Sequence, residues 1–306
     1  MNPEVILLTE AIALFHAHLQ QRKMSQETIR GYGVDLRQFQ NHVTRATNGP
    51  LYVDEVTEEK VESYYQTFVT RGCKPATLRR KLNSISSFFT YAVKKKWIAY
   101  NPTADIERVP VRNQERTFLT TDELQAILQH IDQPIIYYFL TMMANTGLRV
   151  SECANLTLQD VDLTKGIVHV IEGKGGKNRD VPMNKALQAM MTKYLQQVRP
   201  STASLKFFAI EKTGGVSPQY VNVVLKRAVQ AAGITKPVTS HTLRHSFASQ
   251  LVQTDTHVAV IQRLLGHADV RTTSVYMHAN TTALHEAVGS LNFIHEGEVD
   301  YYEGEH

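Results

Sequence analysis

The run His241-Thr-Leu-Arg-His245 sets two imidazoles at i and i+4 with a guanidinium between them. Two histidines so spaced on a helix could ligate a metal. A zinc hydrolase of that kind needs a glutamate at position 242, where this chain has Thr242, and the Arg244 cation would repel a dication. No metal and no other cofactor is expected. His241 and Arg244, at i and i+3, share one helix face. An imidazole donor beside a guanidinium fork suits the non-bridging oxygens of a phosphate. Taken alone, the pattern fits a helix with a polar patch equally well. His245 reads as a structural hydrogen-bonding group.

Three further stretches carry chemistry-bearing side chains. Thr146-Gly147-Leu148-Arg149-Val150-Ser151-Glu152 places an arginine just after a helix-ending glycine, with Glu152 three residues on to orient it or to pair locally. Gly173-Lys174-Gly175-Gly176-Lys177 presents two lysines in a flexible turn. It is no nucleotide loop, because Asn178 stands where a P-loop needs Ser or Thr and a dinucleotide fingerprint its third glycine. Finally, Leu264-Leu265-Gly266-His267 precedes Tyr276 by nine residues, which on one unbroken helix puts His267 and Tyr276 on opposite faces. A turn at Gly266-His267, with Asp269 as N-cap of a new helix, removes that conflict. Cys153 reads as a small buried apolar residue.

These side chains need elements to hold them. In the first third, Val5, Leu8, Ile12, Phe15 and Leu19 follow one helical face. Thr57 with Glu58 and Glu59 reads as an N-cap with acids in the first turn. After Pro75, apolar residues at 78, 82, 85, 88 or 89 and 92 predict an amphipathic helix reaching Lys95, with Arg79, Arg80 and Lys81 on its other face. Residues 109–117 have no periodicity and read as a linker. Thr120 and Glu123 match a capping box. A helix over about 134–146 ends at Gly147, and residues 166–172 with 178–182 flank the lysine turn as a β-hairpin. The remainder reads as helical: one helix starts at Ser217-Pro218, and others cover roughly 240–253, 257–265 and 270–277.

Composition narrows the class. With 306 residues, 42% hydrophobic residues and a net charge of +4, the chain is no disordered polymer and has room for about two domains. Its two cysteines cannot build a disulfide framework or a four-thiolate zinc site. No apolar run nears the roughly 18 residues of a membrane span, and the N-terminus has no signal-peptide pattern, so a cytoplasmic protein is expected. The charge is unevenly spread. All 33 basic residues lie at or before Arg271, so residues 1–271, with 23 acids, carry +10, and six acids follow without a base. Residues 63–104 hold Arg71, Lys74, Arg79, Arg80, Lys81, Lys94, Lys95 and Lys96 and no acid, a block that points to a polyanion partner.

In order, Arg149, Lys174, His241, Arg244, His267 and Tyr276, in the words TGLRVSE, GKGGKNRDVP, HTLRHSFAS and LLGHADVRTTSVYMH, resemble the signature of the tyrosine site-specific recombinases, the integrase and Xer group. The resemblance spans nearly the whole chain. It implies a mainly α fold with a small β-hairpin or sheet in the catalytic domain, arranged as a two-domain C-shaped DNA clamp. The expected domains are a helical, SAM-like core-binding domain over 1–108, a linker over 109–117, a catalytic domain over 118–295 and an acidic tail over 296–306. It also implies the roles. Arg149 and Arg244 clamp the scissile phosphate, His241 and His267 donate or relay protons, and Lys174 is the general acid, preferred over Lys177. Tyr276 is the nucleophile, and Glu152 orients Arg149. Energy kept in a phosphotyrosyl bond removes any need for ATP or metal. The implied partner is double-stranded DNA with paired inverted half-sites, contacted by the basic block and Lys177. Four copies would assemble on two sites, a helix over 283–294 docking on a neighbour, with a second recombinase or accessory protein as a further candidate partner.

Two features depart from housekeeping Xer proteins: the segment Gln253-Thr254-Asp255-Thr256-His257 has no glycine where those proteins turn on one, and the acidic end is long. Both lean toward a resolvase or integrase of a plasmid, transposon or phage. A helical pattern beginning by residue 5 leaves no room for an arm-binding domain. The competing readings are chromosome-dimer resolution, a type IB topoisomerase and a non-catalytic DNA-binding accessory protein.

Overall fold

The structure, a computed structural model, describes residues 5–22, 24–47, 49–110, 117–171, 178–254 and 256–266. The chain divides into two compact units, Met1–Gln114 and Glu115–His306.

Among the described residues of the first unit, four helices enclose one apolar core: α1 (Leu8–Gln21), α2 (Gln26–Thr47), α3 (Glu58–Thr70) and α4 (Pro75–Lys94). The stripe of α1 is Leu8, Ala11, Phe15 and Leu19, with Ile12 half-buried. Val5 precedes the helix and is 65% exposed, because α1 opens only after Leu7, whose backbone pairs with Tyr52. Thr57 caps α3 by position only: its hydroxyl donates to the Glu59 carboxylate (3.1 Å) instead of accepting from the backbone.

The predicted stripe of α4 is present, but Lys81 belongs to it and not to the cationic face. Lys81 is 6% exposed, and its ammonium reaches Gln38 Oε1 (2.5 Å) and Asp35 Oδ1 (3.3 Å) on α2. Asp35 is fully buried and also takes the Arg80 guanidinium and the Ser84 hydroxyl (2.9 Å). A buried carboxylate needs such partners, and a lone one there would cost several kcal/mol, on the order of 3–5. These five side chains lock α2 to α4. At the C-terminal end of α4, Lys96 adopts φ 63°, and the amides of Lys95 and Trp97 close on Tyr91 and Ala92.

The second unit packs α5 (Thr121–Gln129), α6 (Pro134–Thr146), α7 (Val150–Asn155), α8 (Lys185–Lys193), α9 (Pro218–Ala231), α10 (Ser240–Gln253) and α11 (Val258–Leu265) with a three-stranded antiparallel sheet. The strands are β1 (Val161–Asp162), β2 (Ile167–Val170) and β3 (Arg179–Pro182), in the order β1-β2-β3. The hairpin register pairs Val168 with Val181 and Val170 with Arg179, so Val168, Val170 and Val181 enter the core. The apolar α6 runs through that core, with Phe139, Leu140, Met142 and Met143 fully buried. Local chemistry sets the boundaries. Thr120 and Glu123 complete their capping box, and Ser217 accepts from the Tyr220 amide at the start of α9.

The α10–α11 connection turns without glycine. Thr254 keeps an ordinary φ of −95°, and the Leu251 carbonyl accepts from both the Thr254 hydroxyl (3.0 Å) and the Thr256 amide (3.1 Å). No helix among the described residues is long and apolar enough to cross a membrane.

Candidate active site

The site is built where α6 stops. Gly147 ends α6 with φ 64°, a conformation that costs an L-residue about 1–2 kcal/mol. A Cβ at Gly147 would also sit 2.4 Å from the Phe247 ring of α10, so only glycine lets these two helices approach here. The chain then reverses through Leu148 to Arg149, the N-cap of α7. Arginine has no acceptor to cap with. The reciprocal half of the cap is supplied by Glu152, whose Oε2 accepts from the Arg149 amide (2.9 Å) while Oε1 takes the Arg149 Nη1 (2.5 Å).

Arg244 comes from the second turn of α10 and is 4% exposed. Its Nη1 donates to the Gly147 carbonyl (2.6 Å) and its Nη2 to the Leu265 carbonyl (2.5 Å), while Glu152 Oε2 lies 4.0 Å away. The fold therefore brings Arg149 and Arg244, 95 positions apart in sequence, to one carboxylate. His241, one helical turn earlier, is exposed, and His245 is half-buried.

A third guanidinium is present that the sequence reading missed. Arg179 opens β3, is 7% exposed at its side chain and grips both oxygens of Glu152, Nη1 to Oε1 (3.1 Å) and Nη2 to Oε2 (2.7 Å). Its Nε donates to the Leu264 carbonyl at the end of α11 (2.8 Å). Burial by itself raises the Glu152 carboxyl. The Arg179 hydrogen bond, the Arg149 amide and the charges of both arginines outweigh burial and hold it at about 2. Glu152 is therefore an anion throughout the neutral range. The adjacent Cys153 thiol is pushed well up by its burial and by the Glu152 charge, so Cys153 is an unreactive core residue.

Lys174, Lys177, His267, Tyr276, the helix expected over 283–294 and the acidic tail over 296–306 lie outside the described residues. Among the described residues no group of three or more metal-ligating side chains gathers. His169 of β2 pairs with Asp180 of β3 (2.7 Å) across the hairpin.

In the first unit, Arg71, Lys74, Arg79, Lys94, Lys95 and Lys96 are exposed, as is half of the Arg80 side chain. Tyr32 of α2 with Ala76, Arg79, Arg80 and Asn83 of α4 line an open groove. Cationic and hydrogen-bonding side chains of two helices share this surface. Such a surface can meet phosphates with the arginines and base edges with the asparagine.

Residues 117–283 match the phage integrase family, and residues 12–96 match the phage integrase N-terminal SAM-like domain. The tyrosine recombinase XerD of Listeria monocytogenes serovar 1/2a is 30% identical over 281 residues, covering 88% of this chain and 93% of that protein. Among solved structures, a lambda integrase dimer bound to a COC′ core site superposes with a TM-score of 0.74 at 20% identity, over 89% of this chain and 77% of that one. The integrase of transposon Tn1549 in complex with a circular intermediate DNA gives 0.73 at 18% identity, over 92% and 99%.

Proposed function

Because the chain belongs to the phage integrase family of tyrosine recombinases, enzymes that break and rejoin DNA, we propose that its second unit cleaves DNA at the cluster around Glu152. The convergence of Arg149 and Arg244 at one carboxylate carries the reading. The two guanidiniums hold the non-bridging oxygens of the scissile phosphate and stabilise the charge that builds up in the phosphorane-like transition state. Loss of one such donor costs about 100- to 1,000-fold in rate. His241 donates alongside them. Tyr276 passes its phenolic proton to the histidine relay and attacks phosphorus through its oxygen, the bond to the 5′-oxygen breaks, and Lys174 protonates that leaving oxygen. The products are a 3′-phosphotyrosyl link and a free 5′-hydroxyl. Attack by another strand's 5′-hydroxyl reverses the step, and two rounds of exchange pass through a Holliday junction. His267 supplies a further donor, and Glu152 keeps Arg149 in place.

The DNA contacts assigned to the first unit are Arg71, Lys74, Arg79, Arg80, Lys94, Lys95 and Lys96, with Lys177 added from the second unit. Four copies act on two sites, each copy lending the helix over 283–294 to its neighbour. Truncation after about residue 280 is expected to lower cooperative binding to paired half-sites, and an unchanged gel-shift titration removes that assembly.

The biological setting we assign is resolution or integration of plasmid, transposon or phage DNA, supported by the glycine-free turn between α10 and α11. The likeness to XerD favours a second reading, resolution of chromosome dimers. The deciding experiment selects a half-site from random duplexes and maps it. A match beside the gene on a mobile element supports the first reading, and a single chromosomal match the second. A nicked duplex carrying the selected site then tests the chemistry. An SDS-resistant protein–DNA adduct that disappears in Tyr276→Phe is expected, and its absence with the unchanged protein refutes the cleavage reading. Relaxation of a plasmid lacking the site would point instead to topoisomerase activity.

A further inference from the structure

We infer that Arg179 is a positioning residue for this reaction, a clasp that fixes the Arg149 guanidinium and the end of α11 through one side chain. The inference rests on the reading of Arg149 and Arg244 as the phosphate clamp. The Arg179 fork makes two parallel bonds to Glu152, 3.1 and 2.7 Å, and its third N–H in the same plane meets the Leu264 carbonyl at 2.8 Å. Glu152 passes this constraint to Arg149 twice, through the backbone amide and through Nη1. On α11, Arg179 holds the carbonyl of Leu264 and Arg244 holds that of Leu265, so consecutive carbonyls are pinned by two arginines.

The local sequence is shaped around this clasp. Gly266 has φ 64°, and a Cβ there would lie 3.0 Å from Arg179 Cδ. Glycine leaves room for the arginine stem just before His267. Arg179 is also the first residue of β3, paired with Val170, so it anchors the strand that follows the segment containing Lys174. The side chain thus ties three pieces of the proposed site: Arg149, the end of α11 and the hairpin base.

Only arginine can do this. Three coplanar donors serve a carboxylate and a carbonyl together, whereas a lysine ammonium keeps the charge but not the fork. Arg179→Lys therefore separates positioning from charge. On the nicked duplex bearing the selected half-site, single-turnover cleavage should fall about 100-fold, the scale of a sub-ångström to ångström misplacement of a catalytic group. Binding of that duplex should change less than about twofold, because the clasp faces Glu152 and not the DNA charge.

Arg179→Met adds a pH readout. Among the described residues, the charged groups facing Glu152 are Arg149 at the start of α7, Arg179 from β3 and Arg244 from α10. Without Arg179 the carboxyl rises toward its ordinary range. Cleavage by this variant should acquire an acid limb, falling as pH drops, that the unchanged protein lacks. A merely structural arginine would lower melting temperature, binding and cleavage together and leave the pH profile unmoved. That outcome, or full cleavage by Arg179→Lys, overturns the inference.

A second measurement needs no DNA. By 15N NMR the Arg149 guanidinium should rotate slowly in the unchanged protein and freely in Arg179→Lys, and equal rotation in both overturns the clasp. Should the unchanged protein cleave no DNA, the phosphate-clamp reading fails while this measurement still decides whether Arg179 holds Arg149.

Discussion

Glu152 has a side chain only 7% exposed and is shared by Arg149 and Arg179, with Arg244 at 4.0 Å. Replacing it by glutamine keeps the shape and removes the charge. Its carboxyl is held at about 2 against an ordinary 4.5, a depression that corresponds to roughly 3 kcal/mol of folding stability. Because the folded value is the lower one, the contribution is complete above about pH 4.5 and is lost as pH falls toward about 2. By about pH 3.5, one unit below the ordinary value, a little over 1 kcal/mol of it should already be gone. A second route gives the same size: removing one partner of a buried ion pair costs about 3–5 kcal/mol, and Arg179 is as buried as Glu152.

Urea titrations of the full chain read this directly. With a slope of about 2 kcal/mol per molar, Glu152→Gln should lower the midpoint of the affected transition by about 1–2 M near neutral pH. The difference should shrink by about a third near pH 3.5. The single tryptophan, Trp97, belongs to the first unit, so its fluorescence is an internal control that should not move, while far-ultraviolet circular dichroism follows the loss of helix in the second unit. A midpoint difference independent of pH, or a shift carried by Trp97, would refute the linkage between the Glu152 charge and the arginine cluster.

Other perturbations separate neighbouring claims. Gly147→Ala should lose about 3 kcal/mol in a thermal melt, from left-handed backbone strain and the 2.4 Å contact with Phe247, and a normal melt would contradict that close approach. Lys96→Gly should gain up to about 1 kcal/mol by relieving φ 63°, and yet reduce the salt dependence of DNA binding by about one counterion if Lys96 meets a phosphate. Lys81→Met should leave that salt dependence unchanged, since the ammonium is held inside by Asp35 and Gln38, and a fall of about one would return Lys81 to the DNA face.

What could be read from the sequence is what is decided within a few residues. The Thr120–Glu123 box, the Ser217-Pro218 helix start and the helix end at Gly147 are local bargains between a side chain and the nearest amides, and they stand where expected. The burial of Lys81 is not legible locally, because its partners, Asp35 and Gln38, lie 46 and 43 residues upstream, and a helical wheel shows only that position 81 borders the apolar stripe. Arg179 is hidden for the same reason: its contacts lie 27 and 85 residues away, and on a strand next to a glycine-rich turn it looks like a solvated end. Strand β1, two residues long, carries no alternation to detect. The resemblance to the recombinases named Arg149 and Arg244, but it could not show that a third arginine completes the carboxylate between them.

The charge of this cluster has a consequence for the reaction. Three guanidiniums and one carboxylate sum to +2 in a setting where Arg179 and Arg244 are at most 7% exposed at their side chains, so their field is poorly screened. A phosphodiester in its ground state carries a single negative charge, and the pentacovalent phosphorane formed by tyrosine attack carries two. The net positive charge of the cluster attracts the second species more strongly than the first. Interactions that strengthen only as charge develops lower the barrier, whereas equal attraction for both states would merely tighten binding. In the proposed reaction Glu152 both holds Arg149 and lowers the positive charge of the three-arginine cluster by one. On this account Glu152→Gln, with an excess of +3, should bind half-site DNA at least as tightly as the unchanged protein while cleaving it more slowly. Parallel losses of binding and cleavage would show that Glu152 acts on the fold alone.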